Sequence, residues 1–122
     1  MRGACLCGAV SFEVEGTLDH SPEACHCSQC RKQTSHVFVG VNVRRTALTV
    51  QGGESVTWSR SSEQVRRGFC AVCGSVLFWN PRIDAMGAFE PPTGVRIAKH
   101  LFVGDKGDYY EIEDGLPQSQ SY

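Results

Sequence analysis

Seven cysteines in three tight groups hold most of the chemistry that this chain could perform: Cys5-Leu6-Cys7, Cys25-His26-Cys27-Ser28-Gln29-Cys30 and Cys70-Ala71-Val72-Cys73. Seven divides into four and three. Four thiolates close a tetrahedral zinc site, which holds a fold together; three leave one position open for water or a substrate. The pattern therefore predicts two Zn2+ ions per chain, one structural and one catalytic. Disulfides fit poorly, because an odd count leaves a thiol over and such short rings remove little chain entropy. No apolar stretch of signal length precedes Cys5. That points to an intracellular, cytoplasmic setting with reduced thiols, where these spacings mean metal or redox chemistry.

In an extended segment residues i and i+2 point to the same side. Cys5 and Cys7 can then reach one ion together, as can Cys25 and Cys27. The segment Cys70-Ala71-Val72-Cys73-Gly74 has the form of a zinc knuckle, with Gly74 free to take a positive φ after the turn. Cys25, Cys27 and Cys30 combine both geometries and are expected to share one ion. Cys5, Cys7, Cys70 and Cys73 are then the structural set, stapling the N-terminal strand to a hairpin near residue 75, although spacing alone also permits other pairings. His26 and His36 are the candidates for a fourth ligand at the triad. An extended chain turns His26 away from the sulfurs, and neither histidine makes a common ligand spacing with them. Both are read as imidazoles at the surface or behind the ligands, and the site as open. Three thiolates give the ion a net negative surrounding, better suited to holding a fourth thiolate than to making hydroxide. Arg31 and Lys32 would offset that charge and could meet a substrate carboxylate.

The elements that must position these groups are mostly strands. Val10, Phe12 and Val14 alternate with Ser11, Glu13 and Glu15, a half-buried strand directly after the first cysteine pair. Val37, Val39, Val41 and Val43 share one face of a second strand. Leu48 with Val50 and Val56 with Trp58 predict two more, with Gly52-Gly53 between them as a hairpin turn. Val65, Arg67 and Phe69 run into the third cysteine group. Residues 76–79 and 83–89 predict further strands, Glu90-Pro91-Pro92-Thr93-Gly94 a loop, and 98–103 a late strand before a turn at 104–107. His100 on that late strand is expected in the core. The one helical signal is 28–34, with Ser28 as its cap. The 122 residues thus read as a single all-β domain, 1–122, with one short helix and a core of its own.

No apolar run is long enough to cross a membrane. The net charge of −1 makes no general case for nucleic acid. Charge is uneven, however: residues 31–67 carry seven Lys/Arg against two Asp/Glu, a weakly positive rim that could draw a small anion to the open metal.

The motifs Cys5-Leu6-Cys7-Gly8-Ala9-Val10, Cys25 to Lys32, Phe69-Cys70-Ala71-Val72-Cys73-Gly74-Ser75, Phe102-Val103-Gly104-Asp105-Lys106 and the tail from Tyr110 to Gln118 together resemble the glutathione-dependent formaldehyde-activating enzyme family, which includes centromere protein V-like domains. The resemblance implies a small zinc-containing, β-sandwich-like fold of the type shared with methionine-R-sulfoxide reductases and the thalidomide-binding domain of cereblon. It also implies structural zinc on Cys5, Cys7, Cys70 and Cys73, and catalytic zinc on Cys25, Cys27 and Cys30. The implied activity is that of a carbon–sulfur lyase acting as an S-(hydroxymethyl)glutathione synthase. Its partners are a small-molecule thiol such as glutathione and a small carbonyl such as formaldehyde. One departure is visible: the family often has a small residue, usually Gly, where this chain has Thr34-Ser35-His36.

Two other readings compete. A non-catalytic two-zinc module could bind protein or nucleic acid through the Arg44/Arg45 and Arg66/Arg67 pairs, although arginine pairs on strands are ordinarily solvated. A thiol-based disulfide or sulfoxide reductase would need a cysteine free of metal, and none is left over. Exposed sheet edges in so small a β domain also allow a homodimer.

Overall fold

Phe12 and Val14 are buried and Glu13 is exposed, so the period-two pattern becomes the middle strand of a small sheet. The computed structural model describes residues 1–122. Strands β1 (Arg2–Ala4), β2 (Ser11–Val14) and β5 (Leu48–Gln51) form this antiparallel sheet in the order β1-β2-β5. A second sheet contains β3 (Glu23–Cys25), β4 (Phe38–Asn42), β6 (Val56–Arg60), β7 (Arg66–Cys70), β8 (Val76–Asn80), β9 (Ile83–Ala85) and β10 (Lys99–Leu101). Its order is β10-β3-β4-β9-β8-β7-β6, antiparallel except where β10 meets β3. The single α-helix, α1 (Ser28–Thr34), follows β3. The fold is therefore mainly β with one short helix, as the sequence predicts.

The larger sheet uses both faces. On one, Val41 and Val43 join Phe12, Val10, Leu77, Phe78 and Phe89 in the main core. Phe12 meets Phe78 and Phe89 edge-on, with ring centroids 5.5 and 5.2 Å apart. Burying each such side chain contributes about 1.5–3 kcal/mol. On the other face Phe38 and Ala85 pack against Cys30 of α1. Alternation along β4 thus divides the strand between holding the fold and holding the cysteine triad. The valine face is realised unevenly: Val41 and Val43 are buried, whereas Val37 and Val39 are half-buried near the sheet's end.

Several local expectations are corrected. The Gly52-Gly53 pair is not a hairpin turn. β5 pairs with β2 and β6 with β7, so the 3₁₀ turn Gly53–Ser55 carries the chain from one sheet to the other. Gly52 has φ +75°, and a Cβ there would collide with the carbonyl oxygen of Ala9. The cap of α1 is Cys27, whose Sγ accepts from the Cys30 amide at 3.4 Å; Ser28 is already helical. The strand predicted at 83–89 ends at Ala85 in a 3₁₀ turn, Met86–Ala88. The late strand is only Lys99–Leu101.

One charged pair is built into this frame. Asp84 on β9 is fully buried and meets Arg45 at 2.6 Å. Burial pushes its carboxyl above the usual range, and Arg45 pulls against that shift. Its other oxygen, Oδ2, has no partner.

Candidate metal centres

Strand pairing decides where the triad forms. β3 lies between β10 and β4, with Cys25 opposite Leu101 and Phe38. The chain leaves β3 at Cys25 and enters the helix at Cys27, and the first turn of α1 delivers the buried Cys30. The three Sγ atoms lie within 4.8 Å of one another, and no other Cys, His, Asp or Glu joins them. The second group is Cys5, Cys7, Cys70 and Cys73, also within 4.8 Å. Here Cys5 and Cys7 are 3.6 Å apart and Cys7 and Cys70 3.8 Å. A zinc–sulfur bond of about 2.3 Å sets the sulfurs of a tetrahedral site about 3.8 Å apart, so the donors present fit such an ion. All seven cysteines are free thiols. Polar contacts tie the two loops of the four-cysteine group together: the Leu6 amide donates to Ser75 Oγ at 2.9 Å, and the Gly74 amide donates to the Cys70 carbonyl at 2.7 Å.

The triad forms part of the wall of a cavity of about 490 Å³. Phe38, Trp79, Ile83, Leu101 and Phe102 supply much of its apolar surface, while Arg67, Arg82, Glu23 and Asp105 supply charge. Tyr122 stands at this wall with its ring edge-on to Phe102, centroids 5.1 Å apart. Cys30 Sγ accepts from the Arg67 guanidinium at 3.4 Å. Its thiol is pulled down to about 6, chiefly by the hydrogen bond with Cys25, against its own burial, and further by the Arg67 guanidinium. The same contact, together with burial, pushes Cys25 up. In the other group the Ser75 hydroxyl and amide draw Cys73 down to about 5.

His26 and His36 have different surroundings. His26 is buried behind the triad and does not line the cavity. Its Nδ1 meets Tyr110 Oη at 2.5 Å and its Nε2 meets His100 Nδ1 at 2.8 Å, while His100 Nε2 meets Asp114 Oδ2 at 2.8 Å. His36 is exposed, with its ring edge-on to Tyr110 at 4.2 Å. His100 is buried, as expected for a core residue. Arg31 and Lys32 lie on α1 outside the cavity lining. Of the two arginine pairs, Arg45 binds Asp84 and Arg67 is buried against Cys30, while Arg66 lies over the Trp58 ring. Sequence reasoning missed the position of Arg67. The available signal was Gln29, Cys30 and Gln33 on one helical face, spaced to receive a side chain from a neighbouring strand.

The family model described as glutathione-dependent formaldehyde-activating enzyme matches residues 1–104. A Halomonas elongata protein named "Putative glutathione-dependent formaldehyde-activating enzyme" is 30% identical over 129 residues, covering 93% of this chain and 81% of the relative. A Schizosaccharomyces pombe protein named as an uncharacterized lyase is 26% identical, covering 91% of this chain and 84% of its own. Among solved structures, a Rhodobacter sphaeroides protein superposes with a TM-score of 0.58 at 22% identity, covering 98% of this chain and 99% of that one. This last likeness concerns the fold.

Proposed function

Since the chain belongs to the glutathione-dependent formaldehyde-activating enzyme family, we propose that it adds a small-molecule thiol of the glutathione kind to a small carbonyl such as formaldehyde. Formally this is carbon–sulfur lyase chemistry run toward the adduct. One observation carries the reading: three cysteine sulfurs converge at a cavity wall with no fourth side-chain ligand. Cys25, Cys27 and Cys30 would hold a catalytic zinc, and Cys5, Cys7, Cys70 and Cys73 a structural one. A zinc ion at the triad would supply Lewis acidity that lets an incoming thiol ionise near neutral pH.

The rest is done by the chain. In the reaction a sulfur–carbon bond forms, the carbonyl π bond breaks, and the thiol's proton ends on the new hydroxyl. The cavity has room for a tripeptide-sized thiol beside a one-carbon aldehyde, and its apolar side chains offer packing for the reacting pair. Arg82, on the cavity wall and in no ion pair, is placed to meet a substrate carboxylate. His26 and His36 lie away from the cavity, so Tyr122 or water is the nearer source of the proton. Although Tyr122 is 76% exposed, partial desolvation at the cavity wall holds its phenol above the usual range, so it stays protonated at neutral pH.

The test is the rate of adduct formation from glutathione and carbon-13-labelled formaldehyde, followed by NMR. The zinc-loaded protein should accelerate it, and Cys27→Ser should return it to the uncatalysed rate with the fold intact. Unchanged acceleration in Cys27→Ser would remove the triad from the chemistry.

A further inference from the structure

Arg67 is a buried cation without a carboxylate. It is 7% exposed, and none of the chain's ion pairs includes it. Its Nε donates to Ser61 Oγ at 3.0 Å, its Nη2 to Gln29 Oε1 at 3.3 Å, and its Nη1 to Gln33 Oε1 at 3.0 Å and Cys30 Sγ at 3.4 Å. Three of these acceptors are neutral oxygens. Burying an uncompensated charge costs several kcal/mol. Among the four acceptors only Cys30 can carry the opposing charge, and through it the triad.

Resting on the thiol-binding reading above, we propose that Arg67 is the charge-balancing residue of the triad and selects an anionic fourth ligand over a neutral one. A divalent ion on three thiolates is a unit of charge −1, and the guanidinium brings the buried assembly to zero. An added thiolate then takes it to −1 rather than −2, in surroundings where Coulomb terms are only weakly screened. Arg67 also lines the cavity, so its charge lies beside the space an added ligand would enter. The orientation comes from α1. Gln29 and Gln33 are one turn apart on the face that carries Cys30, and their amide oxygens grip two arms of the fork. A lysine would keep the charge and lose that grip.

Cobalt(II) loaded in place of zinc tests this without turnover: the four-cysteine group already has four ligands, so the change in the visible spectrum as a ligand is added reports the triad. The loaded protein is titrated with 2-mercaptoethanol, which binds as a thiolate, and separately with imidazole, which binds neutral. Arg67→Met should weaken the thiolate by about 10- to 100-fold, the usual effect of losing a group that supports a metal ligand, and leave imidazole unchanged. Arg67→Lys should keep most of the thiolate affinity. Arg67→Gln is a second uncharged variant, so a folding failure in one substitution leaves the other to decide. Equal weakening of both ligands, or of neither, would make Arg67 a packing residue and overturn the proposal. Cobalt-loaded wild type that binds neither ligand would instead contradict the open triad on which the proposal rests.

Discussion

Cys30 and His26 show how far single residues can be read from their spacing. Each short cysteine motif keeps its sulfurs together, because i, i+2 and Cys-x-x-Cys geometry is local, whereas the meeting of Cys5 and Cys7 with Cys70 and Cys73, one of several pairings that spacing permits, is made by the fold. His26 turns away from the sulfurs for the same local reason. Its partners were illegible, since Tyr110 and Asp114 are brought to it by a tail that runs beside β10, where the His100 amide donates to the Pro117 carbonyl and the Ser119 amide donates to the His100 carbonyl. Two hydrogen-bond directions satisfy all four groups, both with a neutral His26, and with a neutral His100 the order is fixed. Tyr110 donates to His26 Nδ1, His26 Nε2–H to His100 Nδ1, and His100 Nε2–H to the Asp114 carboxylate. That order requires a neutral His26, and burial lowers its pKa accordingly. Burial also raises Tyr110. The folded state therefore favours the protonated phenol. The stability this adds is complete below the ordinary tyrosine value of about 10 and is lost as pH rises through the higher folded value. Absorbance of phenolate near 295 nm should show Tyr110 and Tyr122 ionising above that ordinary value, and Tyr110→Phe should remove one of these two high-pH ionisations. Loss of a tyrosine that ionises at the ordinary value, with both high-pH ionisations kept, would place Tyr110 outside the network.

At the scale of elements, length decided what could be read. β2, β6 and β7 carry enough alternation to be found, β8 shows as a short apolar run, and α1 was located by the cysteine group before it and its basic outer side. β1 and β3 have three residues each, too few for a period, and unlike the equally short β9 and β10, which lie inside longer strand-like stretches, they were missed although β3 delivers Cys25. The misread hairpin at Gly52-Gly53 has another cause. Glycine pairs mark a tight change of direction, but only sheet pairing says whether the two flanking strands are partners. Arg45 and Asp84 illustrate the same limit, since neither a turn arginine nor a strand aspartate announces a buried pair. Breaking it by Arg45→Met should destabilise the protein by roughly 3 kcal/mol, the lower end for a buried pair because Arg45 is a third exposed. Adding Asp84→Asn should recover part of the loss in urea unfolding. A double variant no more stable than Arg45→Met alone would mean that the cost comes from lost packing rather than from a stranded carboxylate.

At the scale of the whole molecule the two cysteine groups serve different parts of one frame. The four-cysteine group joins the loop between β1 and β2 to the turn between β7 and β8, and so links the two sheets across the main core. The triad sits on the opposite face of the larger sheet, where it adds little to that linkage and opens on the cavity. Removing metal from the four-cysteine group should therefore lower the unfolding temperature much more than removing it from the triad. Cys73→Ser and Cys27→Ser compared by calorimetry should show that order, and the reverse order would exchange the roles given to the two centres. The claim most in need of a direct test is that the triad is an open metal centre that takes a thiol. Metal should be counted in wild type and in Cys27→Ser, and each protein then titrated with glutathione by isothermal calorimetry. Two zinc ions and saturable binding are expected in wild type, with one zinc ion and no binding in the variant. Two zinc ions in wild type with no thiol binding, or binding that survives Cys27→Ser, would contradict that claim.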